Sequence, residues 1–264
     1  MTEPYDLEVG DSPLLVSIPH DGHSLAPGME RRMSVLARLL PDTDWHVRKL
    51  YEFARDLGAS LLAATYSRYV VDLNRPPSDV ALYQGQVSTG ICPLATFAGD
   101  AIYLEGNECT EKEKAERVGQ YWQPYHDCLA FELDRIRDRF GYALLWDAHS
   151  IRSEIPNLFD GTLPDLNIGT NSGASCHDSF AKKIVSLAQN SDFSWALNGR
   201  FRGGYITRTY GDPTNNIHAM QLELGQSCYM NEEDFRYDER WADGLIGVLK
   251  EMLVEYLRVA RSLS

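Results

Sequence analysis

The chain has 264 residues, 44% of them hydrophobic and 11% aromatic, which is enough apolar material for a large core and too much for a disordered chain. Its net charge is -13 with only 25 Lys and Arg, and a surface this acidic repels phosphate backbones, so nucleic acid is not an expected partner. Five cysteines, Cys92, Cys109, Cys128, Cys176 and Cys228, are an odd number without a CxxC, which points to idle thiols rather than disulfides or a cysteine metal cluster.

No stretch reads as a linker, so a single domain over residues 1–264 is expected. The opening MTEPYDLEVGDSPLL has no signal or transit pattern, and no apolar run reaches about 18 residues. The expectation is a cytoplasmic protein with no membrane partner and a small-molecule substrate.

Taken in chain order, PLLVSIP is the first strand and ends at His20. Asp42 or Asp44 then opens a helix through WHVRKLYEFARDLG, with Gly58 as its stop signal. SLLAATYS and RYVVDLN read as strand-like segments, interrupted at Pro76 and Pro77. Residues 111–139 are strongly helical, and Pro124 should kink or break them. YALLWDAH is a continuous apolar run suited to a buried parallel strand that ends on His149. A loop with Pro156, Gly161 and Pro164 leads to a helix near 177–190, then to the strand AMQLELG and a last amphipathic helix over 232–261. The alternation predicts an α/β protein whose sheet is covered by helices on both faces.

Polar residues that do not suit their surroundings gather at strand ends, where open α/β sheets bind ligands. His20 closes the first strand in SIPHDGH, with Gly22 to let the backbone turn close to a ligand. His149 closes the central strand, and Asp147 two residues earlier is placed to orient a ligand side chain. One such histidine suits a plain surface role. Two suggest a metal, since catalytic zinc commonly takes three His or carboxylate ligands and leaves a position for water. The third ligand is open among Asp44, Asp42 and His23.

Glu223, inside QLELG, is either an outward-facing strand residue paired with Gln221 or a general base. RYVVDLNRPP places Arg68, Asp72, Asn74 and Arg75 close together, either as solvated edge charges or as a carboxylate grip with a separate arginine to polarise a carbonyl. RFRGGYITR adds Arg200, Arg202 and Arg208 around two glycines. Arginines gathered in two segments of so acidic a chain point to a small dicarboxylate ligand.

SIPHDG, DTDWHVRKLY, YSRYVVDLNRPP, LLWDAHSIRSEIPNLFDG, DLNIGTNSGASC, NGRFRGGYITRTYG and HAMQLELGQ run in order from about residue 11 to 230. Together they resemble the N-formylglutamate deformylase, or N-formylglutamate amidohydrolase, family. The resemblance implies a phosphorylase/hydrolase-like three-layer sandwich, with a mixed, mostly parallel sheet, related to zinc carboxypeptidases and aspartoacylase. It implies hydrolysis of N-formyl-L-glutamate to formate and L-glutamate, the last step of a histidine degradation route, with one divalent metal, zinc, as cofactor.

The resemblance also implies roles. DLNR is similar to a motif that binds a substrate carboxylate, here Asn74 and Arg75, with Arg68 as the arginine that polarises the carbonyl. ELG and DAHS resemble the segments carrying the catalytic glutamate, Glu223, and the last histidine ligand, His149. The wider superfamily's His-x-x-Glu is replaced by His20-Asp-Gly-His23, so the acidic ligand is assigned to Asp44 in DTDW. His20, Asp44 and His149 then hold the metal, and Arg202 or Arg208 meets the second carboxylate. The alternatives are an amidohydrolase for another N-acyl acidic amino acid, or a non-catalytic binding paralogue, whose sign would be loss of the base or of a histidine.

Overall fold

The computed structural model describes residues 3–80 and 89–263. Seven strands form one sheet: β1 (Tyr5–Glu8), β2 (Leu14–Ile18), β3 (Ser60–Ala64), β4 (Ala143–Ile151), β5 (Leu166–Gly169), β6 (Trp195–Leu197) and β7 (Ile217–Gly225), in the order β1-β3-β2-β4-β7-β5-β6. β1 runs antiparallel to β3, and β5 antiparallel to β7; every other pairing is parallel. The sheet is therefore mixed and mostly parallel, as the alternation of elements predicts.

Among the described residues six α-helices flank it: α1 (Val47–Leu50), α2 (Glu111–Arg117), α3 (Gln123–Phe140), α4 (Asp178–Gln189), α5 (Tyr205–Tyr210) and α6 (Glu239–Leu263). Strand periodicity decides which helix covers which face. Leu14, Val16 and Ile18, Leu144, Trp146 and Ala148, and Met220, Leu222 and Leu224 pack with α1, α4 and α6. The alternate set, Leu15, Ala143, Leu145, Ile217 and Ala219, packs with Tyr125, Leu129, Leu133 and Ile136 of α3 and Ile206 of α5. Both faces are covered, so β2, β4 and β7 are buried along their full length.

Several elements differ from the sequence expectation. The helix expected from Asp42 or Asp44 to Gly58 is only α1 followed by a 3-10 segment, Glu52–Leu57, although Gly58 does end it in a left-handed conformation. His46, with φ of 66°, precludes a continuous helix from the aspartates. RYVVDLN forms no strand. Its backbone turns instead, with Val70 N–H on Ser67, Asp72 N–H on Ile91 and Asn74 N–H on the Asp72 carboxylate. Tyr69 and Val70 fill a separate cluster with Met29, Met33 and Ile102, while Val71 joins the cluster of Leu15, Leu62 and Leu145, so the two valines answer packing needs on opposite sides of a turning segment.

Pro124 acts as expected. α2 and α3 are separated by a π-helical turn, Val118–Trp122, and Pro124 sits in the first turn of α3, where its missing N–H is tolerated. The last helix begins at Glu239, seven residues later than expected from 232. β1, β5 and β6, of three or four residues each, are too short to stand out in the sequence.

Candidate active site

On the α3 and α5 face, the apolar pattern of the central strands stops short of their carboxyl ends. Leu15 gives way to Ser17, Leu145 to Asp147 and His149, and Ala219 to Gln221 and Glu223, all buried. Register places His149 beside Glu223 and Asp147 beside Gln221. The outward-facing reading of Glu223 is thus overturned: its face is covered, and the carboxylate points into a cavity of about 80 Å³. His20, Arg68, Asn74, Arg75, His149, Arg200 and Gln221 share that wall, and Thr89, Phe97 and Leu158 are common to it and a larger neighbouring hollow of about 580 Å³.

Among the described residues, one group of three metal-ligating side chains brings its donor atoms within 4.8 Å of one another: His20, Asp44 and His149, all buried. Asp44 reaches the group from a loop, because its N–H donates to the His20 carbonyl at 3.0 Å. Its Oδ2 accepts from the Ser150 N–H at 3.0 Å and lies 3.2 Å from His149 Nδ1 and 3.7 Å from His20 Nδ1. The other two candidates lie elsewhere. His23 is exposed and stacks on Trp45, and Asp42 accepts from the Tyr69 hydroxyl at 2.7 Å and the Phe97 N–H at 2.9 Å.

The donor set fits a divalent cation. His20 Nε2 lies 2.8 Å from Asp72 Oδ1, and His149 Nε2 lies 3.0 Å from Asp147 Oδ1. With a cation bound, carboxylates on the far nitrogens would hold the proton on Nε2 and leave the Nδ1 lone pair for the ion; without one, His149 Nδ1 is within hydrogen-bond reach of Asp44. Asp147 thereby does what its place two residues before His149 suggested, and its other oxygen accepts from the Thr207 hydroxyl at 3.0 Å. The cluster already draws a positive charge: Arg68 Nη2 contacts His20 Nδ1 and lies 2.8 Å from Asp44 Oδ1.

Electrostatics follow from this crowding. Burial pushes the Asp44 carboxyl up, but the Arg68 charge and the hydrogen bonds of His149 and His20 outweigh it and hold the group well below the usual carboxylate range. Asp72 is likewise lowered against its burial, by His20 and Arg75. Burial disfavours a charged His149, yet Asp147 and Asp44 raise its pKa well above the ordinary value. Burial pushes Glu223 up to about 7; His149 and Arg68 oppose that rise, and Asp44 and Asp147 add to it.

The arginines divide. Arg68 is buried on the wall and stacks over Phe97 at 5.0 Å. Arg75 is half-buried there, with Nε donating to the Thr89 carbonyl at 3.1 Å. From RFRGGYITR, Arg200 lines the cavity, whereas Arg202 is exposed and Arg208 turns its Nε to the Gly203 carbonyl at 2.7 Å. Neither Arg202 nor Arg208 is on the wall, because α5 starts at Tyr205 and carries Arg208 away from it. Asn74 is on the wall, with Oδ1 accepting from the Ile206 N–H at 2.8 Å and Nδ2 3.1 Å from His149 Nε2. Gln221 was missed as a wall residue in its own right; alternation signals its face but not that α5 covers that face.

A family model described as N-formylglutamate amidohydrolase matches residues 12–230. An N-formylglutamate deformylase of Pseudomonas putida is 53% identical over 246 residues, covering 92% of each chain. One from Pseudomonas aeruginosa is 48% identical over 263 residues, covering 99% of this chain and 98% of the relative. In fold, the chain is similar to the crystal structure of an N-formylglutamate amidohydrolase from Ralstonia eutropha JMP134, with a TM-score of 0.82 at 22% identity over 99% of this chain and 98% of that one. A gene product of Agrobacterium tumefaciens gives a TM-score of 0.75 at 17% identity, over 98% and 97% of the two chains.

Proposed function

The chain belongs to the N-formylglutamate amidohydrolase family, and we propose that it hydrolyses N-formyl-L-glutamate to formate and L-glutamate with a zinc ion at His20, Asp44 and His149. The observation that carries the reading is the meeting, around one cavity, of His20 and His149 with a buried Glu223 and three arginines, Arg68, Arg75 and Arg200, with Asp44 in reach of both histidines. Two imidazoles and a carboxylate are a common catalytic zinc set. When bound, the ion supplies Lewis-acid activation of water and of the formyl carbonyl.

The chain's own groups do the rest. Glu223 takes a proton from the water that attacks the formyl carbon, a C–O bond forms, and the carbonyl oxygen gathers negative charge beside Arg68. Glu223 then returns the proton to the nitrogen as the C–N bond breaks, leaving formate and the amine of L-glutamate. Asn74 and Arg75 hold one substrate carboxylate. Arg200 holds the other, the role first given to Arg202 or Arg208, since it is the member of that segment on the wall. We place the enzyme in the cytoplasm as a single domain, at the end of a histidine degradation route; no helix among the described residues is long and apolar enough to cross a membrane.

The test is kcat/KM on one metal-replete preparation for N-formyl-L-glutamate, N-formyl-L-glutamine, N-formyl-L-aspartate and N-acetyl-L-aspartate. An arginine facing a neutral amide forgoes a charge-assisted hydrogen bond of roughly 1.5 to 3 kcal/mol, so the glutamine substrate should be about 10- to 150-fold poorer. Should the amide match the acid, or N-acetyl-L-aspartate win, the two-carboxylate reading is wrong.

A further inference from the structure

Gln221 is buried in mid-sheet on the face where β7 turns from apolar to polar, and a buried amide is costly unless both of its ends are paired. Here both are. Its Oε1 accepts from the Gly204 N–H at 2.7 Å, and its Nε2 donates to Glu223 Oε2 at 3.1 Å. The Gly204 N–H can only donate, so it settles which end of the amide is oxygen and turns the NH2 group toward the glutamate.

The segment at the other end of this bridge is tightly seated. A Cβ on Gly204 would lie 2.2 Å from Asn74 Nδ2, and one on Gly169 would lie 2.6 Å from Gly203 N, so the backbone at 203–204 has no room to shift toward either. Arg200 stands four residues before Gly204 and lines the same cavity as Glu223. One side chain therefore connects the carboxylate at the reacting bond to the loop that carries an arginine of the wall.

We propose that Gln221 is a positioning residue that sets the spacing between Glu223 and the Arg200 loop, and so between proton transfer and recognition of the distal substrate carboxylate. This rests on the deformylase reading above. The amide's NH2 aims the Glu223 oxygen, which matters for kcat. Its oxygen holds the Gly204 N–H, and through it the loop, which matters for binding. The two halves are separable by substitution.

Gln221→Glu keeps an acceptor for Gly204 but removes the donor to Glu223 and adds a like charge. It should lower kcat by about 10-fold or more with KM within about two-fold of the parent. Gln221→Leu removes both contacts at similar volume, and should lower kcat and also raise KM for N-formyl-L-glutamate by about 10-fold. Binding of L-glutamate, followed by calorimetry, gives the loop half a readout independent of turnover: it should weaken in Gln221→Leu and hold in Gln221→Glu. Parental kcat and KM in Gln221→Leu would overturn the proposal. Equal KM and equal L-glutamate affinity in the two variants would overturn its loop half. A parent protein inactive on N-formyl-L-glutamate would instead sink the deformylase reading, and L-glutamate binding would still test the bridge.

Discussion

Asp44 sits at the centre of the site because four neighbours specify it. The His20 carbonyl takes its N–H, the Ser150 N–H and His149 Nδ1 meet Oδ2, and Arg68 meets Oδ1. Removing a carboxylate so placed takes from the buried Arg68 guanidinium its ion pair. Glu223 differs in that its only hydrogen bond at the carboxylate among the described residues is with Gln221, which suits the proton transfer proposed for it. One experiment separates the two roles. Asp44→Ala should bind less than about a tenth of the zinc that the parent binds, since removing one of three ligands leaves an incomplete site. Glu223→Gln should keep its zinc and lose about 100-fold or more in kcat. Metal retained in Asp44→Ala but lost in His23→Ala, read by elemental analysis after dialysis, would redraw the ligand set.

At the scale of elements, the site exists because β2, β4 and β7 run parallel and end together beneath a face covered by α3 and α5. This much was legible. Strand-end His20 and His149, the acidic Glu223 in an apolar run and the helix break at Pro124 all announce themselves by violating the pattern around them. Asp44 does not, because its position depends on a loop contact with His20 and not on periodicity; only the resemblance singled it out. RYVVDLN misled for the converse reason: Val70 packs into a separate cluster and Val71 into that of the sheet, and the segment between them turns. Gly22 is a further case. The sequence suggested close approach to a ligand, but a Cβ there would lie 2.5 Å from the Tyr66 carbonyl oxygen and 2.7 Å from the Thr65 carbonyl carbon, so the close approach is of chain to chain, where the segments leaving β2 and β3 run side by side. Both atoms are backbone and cannot step aside. Gly22→Ala should therefore cost roughly 1 to 3 kcal/mol by overpacking, seen as a lower urea midpoint. It should also lower zinc affinity, because His20 lies two residues upstream. An unchanged midpoint would show that this contact has slack.

For the whole molecule, histidines buried in neutral form contribute to the response to acid. His126 on α3 is the clearest. It stacks on Trp122 and Tyr210, its Nε2–H faces the Leu73 carbonyl at 2.8 Å, and its Nδ1 lies 2.9 Å from the Tyr210 hydroxyl. Burial lowers its pKa from 6.5 to about 4, with the Leu73 carbonyl and Asp147 opposing the shift. The unfolded chain then binds a proton as pH falls through 6.5 while the folded chain declines it until about 4. The contribution is therefore complete above pH 6.5, drains away between 6.5 and about 4, and changes no further below that. The difference amounts to roughly 3 kcal/mol at most. It bears on function as well as stability, because the ring anchors Leu73, next to the Asn74 and Arg75 of the cavity wall. His126→Gln retains a donor and an acceptor but does not titrate. Urea unfolding of parent and variant at about pH 7 and about pH 4.5 should show the parent losing roughly 2 to 3 kcal/mol more than the variant over that interval. Equal losses in the two proteins would mean that acid acts through other groups, His218 first among them, since burial lowers its pKa to about 4 as well.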